Sequence, residues 1–331
     1  MRFRMSSSPT SRQPSALSAA DGESVSRQSD PESAKRDAVV RALTDDGGFR
    51  VICIDLTQTV AEVVRRQALT GGVAQTLGEL IVGAALVRET MSPNERVQLL
   101  LRQGEQGARL VAESQPDGAG RGLALVPETR PQGSTWFFEA QRTLPSGHMH
   151  RGVIDLARPN IAEALVGYML RSEQVASAVD VACEIDPTSG TVLRAGGYLV
   201  QLLPELSETT LAIMTARLGE FPRVGTFWPG AAERSAPGEL VLEGAYGPQG
   251  VPGRMLEELL FGMPFTVTEH GSLHWDCSCS EARMLLSLSA LPRADLHELF
   301  RDTGALTLTC DYCRTDYTVH RGMLDGLQQP S

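Results

Sequence analysis

The sequence predicts an α+β protein: an N-terminal mixed domain of antiparallel sheet and packed helices, a linker, and a small C-terminal module organised by cysteines. Three observations carry this. Short apolar runs separated by glycine-rich turns read as hairpins, and segments with apolar residues at helical spacing lie between them. Four of the six cysteines, Cys277, Cys279, Cys310 and Cys313, fall within 37 consecutive residues near the end.

Residues 1–36 hold ten serines and three prolines but few large apolar side chains. Ordering them has little burial to offset its entropy, so a disordered tail is expected. Its RFR start and Lys35-Arg36 read as part of a dispensable extension rather than a basic contact arm, because Asp and Glu are interleaved with the basic residues.

The N-terminal domain is expected over 37–218. FRVICIDLT from Phe49 alternates and is β-branched, which predicts a strand, and Val60 to Ala68 fits a short helix. Thr76 to Arg88 places Leu77, Leu80, Ile81, Ala84 and Val87 near one helical face, with small Gly78, Gly83 and Ala85 allowing close approach. Ser92-Pro93-Asn94 stops it, and RVQLLLR, ARLVAES and RGLALV then form a meander of hairpins rather than a βαβ repeat. Ser146 to Leu156 reads as a strand and Ile161 to Ser172 as an amphipathic helix started near Asn160. VASAVDVACEID and TVLRAGGYLVQLL flank a polar turn at 187–190 and predict a hairpin, with Gly196-Gly197 as a local irregularity. Ser207 to Leu218 resumes helical spacing behind a serine cap.

A metastable linker is expected over 219–270. Residues 219–253 are rich in Gly and Pro yet carry Phe221, Phe227, Trp228, Leu240, Val241 and Tyr246. Such apolar groups suit a segment lying against the first domain with few hydrogen bonds of its own. Pro229, Pro237, Pro248 and Pro252 weaken helix there, and Arg254 to Phe261 reads as a short helix.

The C-terminal module, 271–331, carries Cys277-x-Cys279, thirty intervening residues, and Cys310-x-x-Cys313. Two close pairs make two chelating pincers, and four thiolates close a tetrahedral zinc site without leaving a position for water or substrate. A structural zinc is therefore the direct reading, in a module too small for a strong apolar core. A disulfide between residues two apart would be strained and relatively oxidising, so Cys277 and Cys279 suit a reporter of oxidation. His270, His274 and His320 read as surface or outer residues rather than ligands, Trp275 and Tyr317 as packing for the module, and Asp276 and Asp311 as solvated turn residues. Glu281 to Leu288 and Ala294 to Phe300 predict helices, and Ala305 to Thr309 with Asp316 to His320 a hairpin bearing the second pair at its turn. Cys53 and Cys183, in VICID and VACEI, read as buried inert thiols.

Thirty basic against 40 acidic residues, net -10, argue against general attraction to nucleic acid or an anionic membrane. No G-x-S-x-G, P-loop, Rossmann-type glycine set or HExxH occurs, so a non-enzyme is expected. The start lacks the apolar stretch of an export signal. LGELIVGAALV is far short of the roughly 20 residues that span a bilayer, so a cytoplasmic protein is expected.

The chain resembles the redox-regulated 33-kilodalton heat-shock chaperones over about residues 48–327, through WDCSCSEAR, LTCDYCRTDY, TLGELIVGAAL, LLLRQGEQG, LVGYMLRSEQVASAV and LRAGGYLVQLLP. The resemblance implies an ATP-independent holdase whose reduced form binds one zinc ion through Cys277, Cys279, Cys310 and Cys313 and has low activity. It implies that oxidation drives Cys277-Cys279 and Cys310-Cys313 disulfides, zinc release, unfolding of the module and loss of linker packing. It further implies homodimerisation through the N-terminal domain, unfolded proteins as clients, and their transfer to ATP-dependent foldases. Two other classes fit the cysteines alone: a constitutive zinc-ribbon binding module, and a thiol-disulfide oxidoreductase using Cys310 and Cys313, which lacks the βαβ setting of that chemistry.

Overall fold

The computed structural model describes residues 2–4, 37–128, 135–144, 146–220, 224, 250–301 and 304–325. In chain order, the first elements are β1 (Arg2–Arg4), β2 (Asp37–Thr44), β3 (Phe49–Asp55), α1 (Thr57–Gln67), α2 (Gly71–Glu89), β4 (Arg96–Gln103), β5 (Arg109–Ser114) and β6 (Ala119–Leu125). There follow β7 (Trp136–Thr143), β8 (Met149–Leu156), α3 (Ile161–Arg171), β9 (Ser177–Ile185), β10 (Val192–Leu202), α4 (Glu208–Glu220) and α5 (Gly250–Leu259). The last are β11 (Phe265–Trp275), α6 (Glu281–Ser289), α7 (Arg293–Leu299), β12 (Ala305–Thr309), β13 (Asp316–His320) and α8 (Arg321–Asp325). They fall into two units, residues 36–277, and residues 278–331 together with the N-terminal segment 1–35 that contains β1. The mixed α+β class is the one the sequence predicts.

In the larger unit the strands run β8-β7-β4-β5-β6-β11-β2-β3-β10-β9. Neighbours pair antiparallel except β6 and β11, which meet in parallel at Ala119–His274 and Gly120–Trp275. The two halves share α2, which packs against β4, β5 and β6 and also against β3, β9 and β10. Where the spacing predicts one apolar face, Leu77, Leu80, Ile81, Val82, Ala84, Leu86 and Val87 are all buried. A helix apolar on every side is stable only when surrounded, and two sheet halves supply that. Asn160 and Ser207 cap α3 and α4 as expected, accepting from Glu163 N and Thr210 N.

Small residues on α2 allow the close approach. A Cβ at Gly78 would sit 2.4 Å from Cys183 Sγ and 2.9 Å from Val60 Cγ1. Gly78→Val is therefore expected to destabilise the larger unit by about 1–3 kcal/mol, read from the urea midpoint of its unfolding.

The sheet segment β2-β3-β10 is buried on both faces. Val39, Ile52, Ile54 and Leu199 belong to the cluster around α2. Val40, Ala42, Val51, Cys53 and Val200 belong to a second cluster with Met255, Leu256 and Leu259 of α5 and Met214 of α4. Strand alternation thus distributes FRVICID between two cores. Pro252 lies in the first turn of α5, where an amide hydrogen has no intrahelical acceptor, so the helix starts before the expected Arg254.

Helix α1 takes its cap from another element. Its N-cap residue Leu56 provides no side-chain hydrogen bond, and Gln58 N and Thr59 N instead donate to the two carboxylate oxygens of Asp37 at 2.9 and 2.7 Å. Burial pushes the Asp37 carboxyl up to about 6 from its ordinary 3.8. The folded chain therefore holds the Asp37 proton more tightly than the unfolded one. The resulting stabilisation is full below about pH 4 and lost as the pH rises through about 6. Wild-type stability relative to Asp37→Asn, from urea unfolding, is expected to fall over that window.

Several expectations need correction. Within the expected tail, 1–36, residues Arg2–Arg4 form a strand, because an open sheet edge in the smaller unit pairs with their backbone. The expected boundary at 270/271 cuts β11, a continuous strand held by β2 along Phe265–Leu273. Leu273 is buried in the larger unit's core, and the smaller unit begins at Ser278. Gly196-Gly197 lies in regular β10 register, whereas the irregularity falls between Val192 and Arg194. A Cβ at Gly197 would meet Asp180 O at 2.7 Å. The expected packing of Phe221, Phe227, Trp228, Leu240, Val241 and Tyr246 lies outside the described residues.

The smaller unit has the strand order β1-β12-β13. Its described core is Leu288, Leu296, Phe300, Leu306, Leu308 and Val319.

Candidate metal centre

Strand β11 ends at Trp275, two residues before Cys277. Ser280, just past Cys279, caps α6 by accepting from Arg283 N at 3.3 Å, so the first cysteine pair spans the passage from strand to helix. The second pair occupies the turn of the β12–β13 hairpin, as the sequence predicts. Cys310 N donates to Thr315 O and Arg314 N to Cys310 O, both at 2.9 Å, and Arg314 adopts φ 60°. This tight turn aims Cys310 and Cys313 to one side.

The four sulfurs, Cys277, Cys279, Cys310 and Cys313, all lie within 4.8 Å of one another. Sulfurs placed tetrahedrally at about 2.3 Å from one ion are roughly 3.8 Å apart. The donor set therefore fits a four-thiolate metal ion with no position left for substrate. Three of the cysteines are buried and Cys279 is half-buried.

Polar neighbours complete the site. The Tyr317 hydroxyl lies 3.0 Å from Cys279 Sγ. That contact first, then burial and the nearby cysteines, pushes the phenol pKa up. Thr315 Oγ1 is 3.2 Å from Cys313 Sγ, and Cys279 Sγ is 3.2 Å from Cys313 Sγ. In the larger unit, Arg121 Nη1 approaches Cys277 Sγ at 3.8 Å while its Nη2 donates to Glu113 at 2.6 Å. Sequence spacing finds the cysteines. It misses Arg121, 156 positions from Cys277, and assigns Tyr317 only to packing.

His270, His274 and His320 are exposed and outside the cysteine cluster. Trp275, expected to pack the smaller module, belongs to the larger unit. It lies against the larger unit's core with the Arg66 guanidinium 4.0 Å above its ring, because β11 carries it into that sheet. Cys53 and Cys183 are buried, and desolvation raises both thiols, Cys183 to about 12. No described helix is long and apolar enough to cross a membrane.

A family model described as Hsp33 protein matches residues 37–320. The 33 kDa chaperonin of Geobacter sp. (strain M21) is 28% identical over 303 residues, spanning 88% of this chain and 96% of that protein. The 33 kDa chaperonin of Desulfotalea psychrophila is 26% identical over 293 residues, spanning 85% and 93%. The crystal structure of the 33 kDa chaperonin from Thermotoga maritima shares the fold, with a TM-score of 0.70 at 21% identity over 88% of this chain and 97% of that one.

Proposed function

The chain belongs to the Hsp33 family of chaperones, and on that premise we propose that it is a cytoplasmic, ATP-independent holdase switched by the redox state of Cys277, Cys279, Cys310 and Cys313. The observation that carries the switch is the convergence of four cysteines, all within 4.8 Å, three of which belong to a unit with a small apolar core. When bound, zinc keeps the cysteines as thiolates and adds its binding free energy to the folding of the residues around them.

Oxidation acts on the ligands. Each pair of thiolates gives two electrons to one molecule of hypochlorous acid, which leaves as chloride and hydroxide, and the Cys277-Cys279 and Cys310-Cys313 disulfides form. The unit then lacks its thiolate donors and loses more than its apolar core supplies. Helix α5 connects through β11 to Cys277, so loosening at the cysteines reaches the helix that covers the second cluster along one continuous chain segment. Release of α5 exposes the sheet face that binds unfolded clients, an order-to-disorder activation. The oxidised protein dimerises through its N-terminal domain and hands clients to ATP-dependent foldases after reduction. None of these steps uses an enzyme active site.

Reduced, zinc-loaded protein titrated with hypochlorous acid is expected to release one zinc per chain and to gain suppression of client aggregation over the same range. Zinc release without protection would overturn the chaperone switch, and dithiol turnover without protection would favour an oxidoreductase. Peptide mapping reads the disulfides, where a Cys279–Cys313 product would replace the pairing within each motif. Cys310→Ser is expected to purify with substoichiometric zinc, measured by metal analysis.

A further inference from the structure

The family match begins at residue 37, yet a strand lies well before it. Arg2–Arg4 pair antiparallel with β12, placing Arg2 opposite Thr309, Phe3 opposite Leu308 and Arg4 opposite Thr307. On its other side β12 pairs with β13 over the full length of both strands. Thus β1 takes the free edge of a strand that otherwise belongs to a two-stranded hairpin, an assembly marginal in water by itself.

The register fits the composition. Along β12, Leu306 and Leu308 are buried while Thr307 and Thr309 are half-buried. The backbone register sets Phe3 opposite the buried Leu308, and Arg2 and Arg4 opposite Thr309 and Thr307. Residues 5–36 make a connection of 32 residues, with a maximum reach of roughly 100 Å. Strand β12 runs directly into Cys310, whose amide is already held by Thr315 O.

We infer that the edge of β12 is a β-augmentation surface whose partner is this chain's own N-terminal strand, and that the pairing guards the cysteine module against opening. The register carries the pairing, while the guarding role rests on the redox-switch reading above. The N-terminal segment is then a regulatory strand rather than a dispensable extension.

The test compares reduced, zinc-loaded full-length protein with a variant lacking residues 2–36 and with Phe3→Pro, which removes an amide donor and breaks the strand. Hydrogen exchange of the β12 amides is expected to accelerate at least about tenfold in both variants, with the α2 amides unchanged. Zinc transfer to a chelator, followed optically during oxidation, is expected to accelerate by a similar factor. Unchanged β12 exchange would overturn the pairing. Faster exchange with unchanged zinc transfer would overturn the guarding role. Failure of the oxidised full-length protein to protect clients would instead count against the switch, leaving the exchange result to decide the pairing.

Discussion

Stripping the metal from the reduced protein with a strong chelator is expected to unfold the α6–β13 region while leaving the core around α2 folded. The described core of the smaller unit comprises six side chains, Leu288, Leu296, Phe300, Leu306, Leu308 and Val319. The conformational entropy of ordering its backbone is of the same order as the burial such a core supplies. A structural zinc contributes about 10–16 kcal/mol to a small module, comparable with the whole stability of an ordinary domain. Losing it should take the unit across its folding transition. Hydrogen exchange should show loss of protection in α6, α7, β12 and β13, with the amides of α2 still protected, and added zinc should restore the original pattern. Cys313→Ser should behave like the chelated protein. Retained protection at β12 and β13 without metal would show that the apolar core alone suffices, and a switch based on thiolate loss would then have no lever.

The parts of this organisation legible in the sequence are those set by local chemistry. Strands β12 and β13 follow from alternating residues on either side of a CxxC turn, and the caps of α3 and α4 from Asn160 and Ser207. The cysteine set is legible because metal chemistry restricts ligand type and spacing more tightly than packing restricts apolar residues.

What stays hidden depends on partners far along the chain. TVTEHGSLHW looks like polar linker because most of β11 is exposed. Backbone pairing with β2 and β6 makes it a strand. The Asp37 cap on α1 cannot be read from α1, since the acceptor lies in β2, 21 and 22 residues before the amides it receives. Tyr317 and Arg121 reach cysteine sulfurs only through the hairpin turn and the β5–β6 pairing. Strand β1 is obscure for the same reason: three residues in a serine-rich segment carry little local signal, and the edge of β12 supplies the order.

Leu256→Asp is expected to make the reduced, zinc-loaded protein active without oxidant. Leu256 is 0% exposed, between α5 and the β2-β3-β10 face, so an aspartate there is a buried charge without a partner, a cost of about 3–5 kcal/mol. Helix α5 has ten residues. Isolated helices shorter than about 12–15 residues are marginal in water, so its order depends on that docking. Undocking uncovers Val40, Ala42, Val51 and Val200, a contiguous apolar surface of the kind that captures unfolded chains. Cys53 reports the event independently. It is 0% exposed, and burial raises its thiol pKa, so it should resist alkylation while α5 is docked. In the variant, peptide mapping should find Cys53 alkylated at least about tenfold faster, with zinc content unchanged and α2 still protected from exchange. Unchanged Cys53 labelling would mean that α5 holds its place by contacts other than Leu256. Rapid labelling without protection of clients would separate opening from activity and move the client surface elsewhere. If labelling and protection rise together while zinc stays bound, the cysteines act only as the trigger and the face beneath α5 is the working surface. Oxidation and a single buried charge would then reach the same active state by removing the same cover.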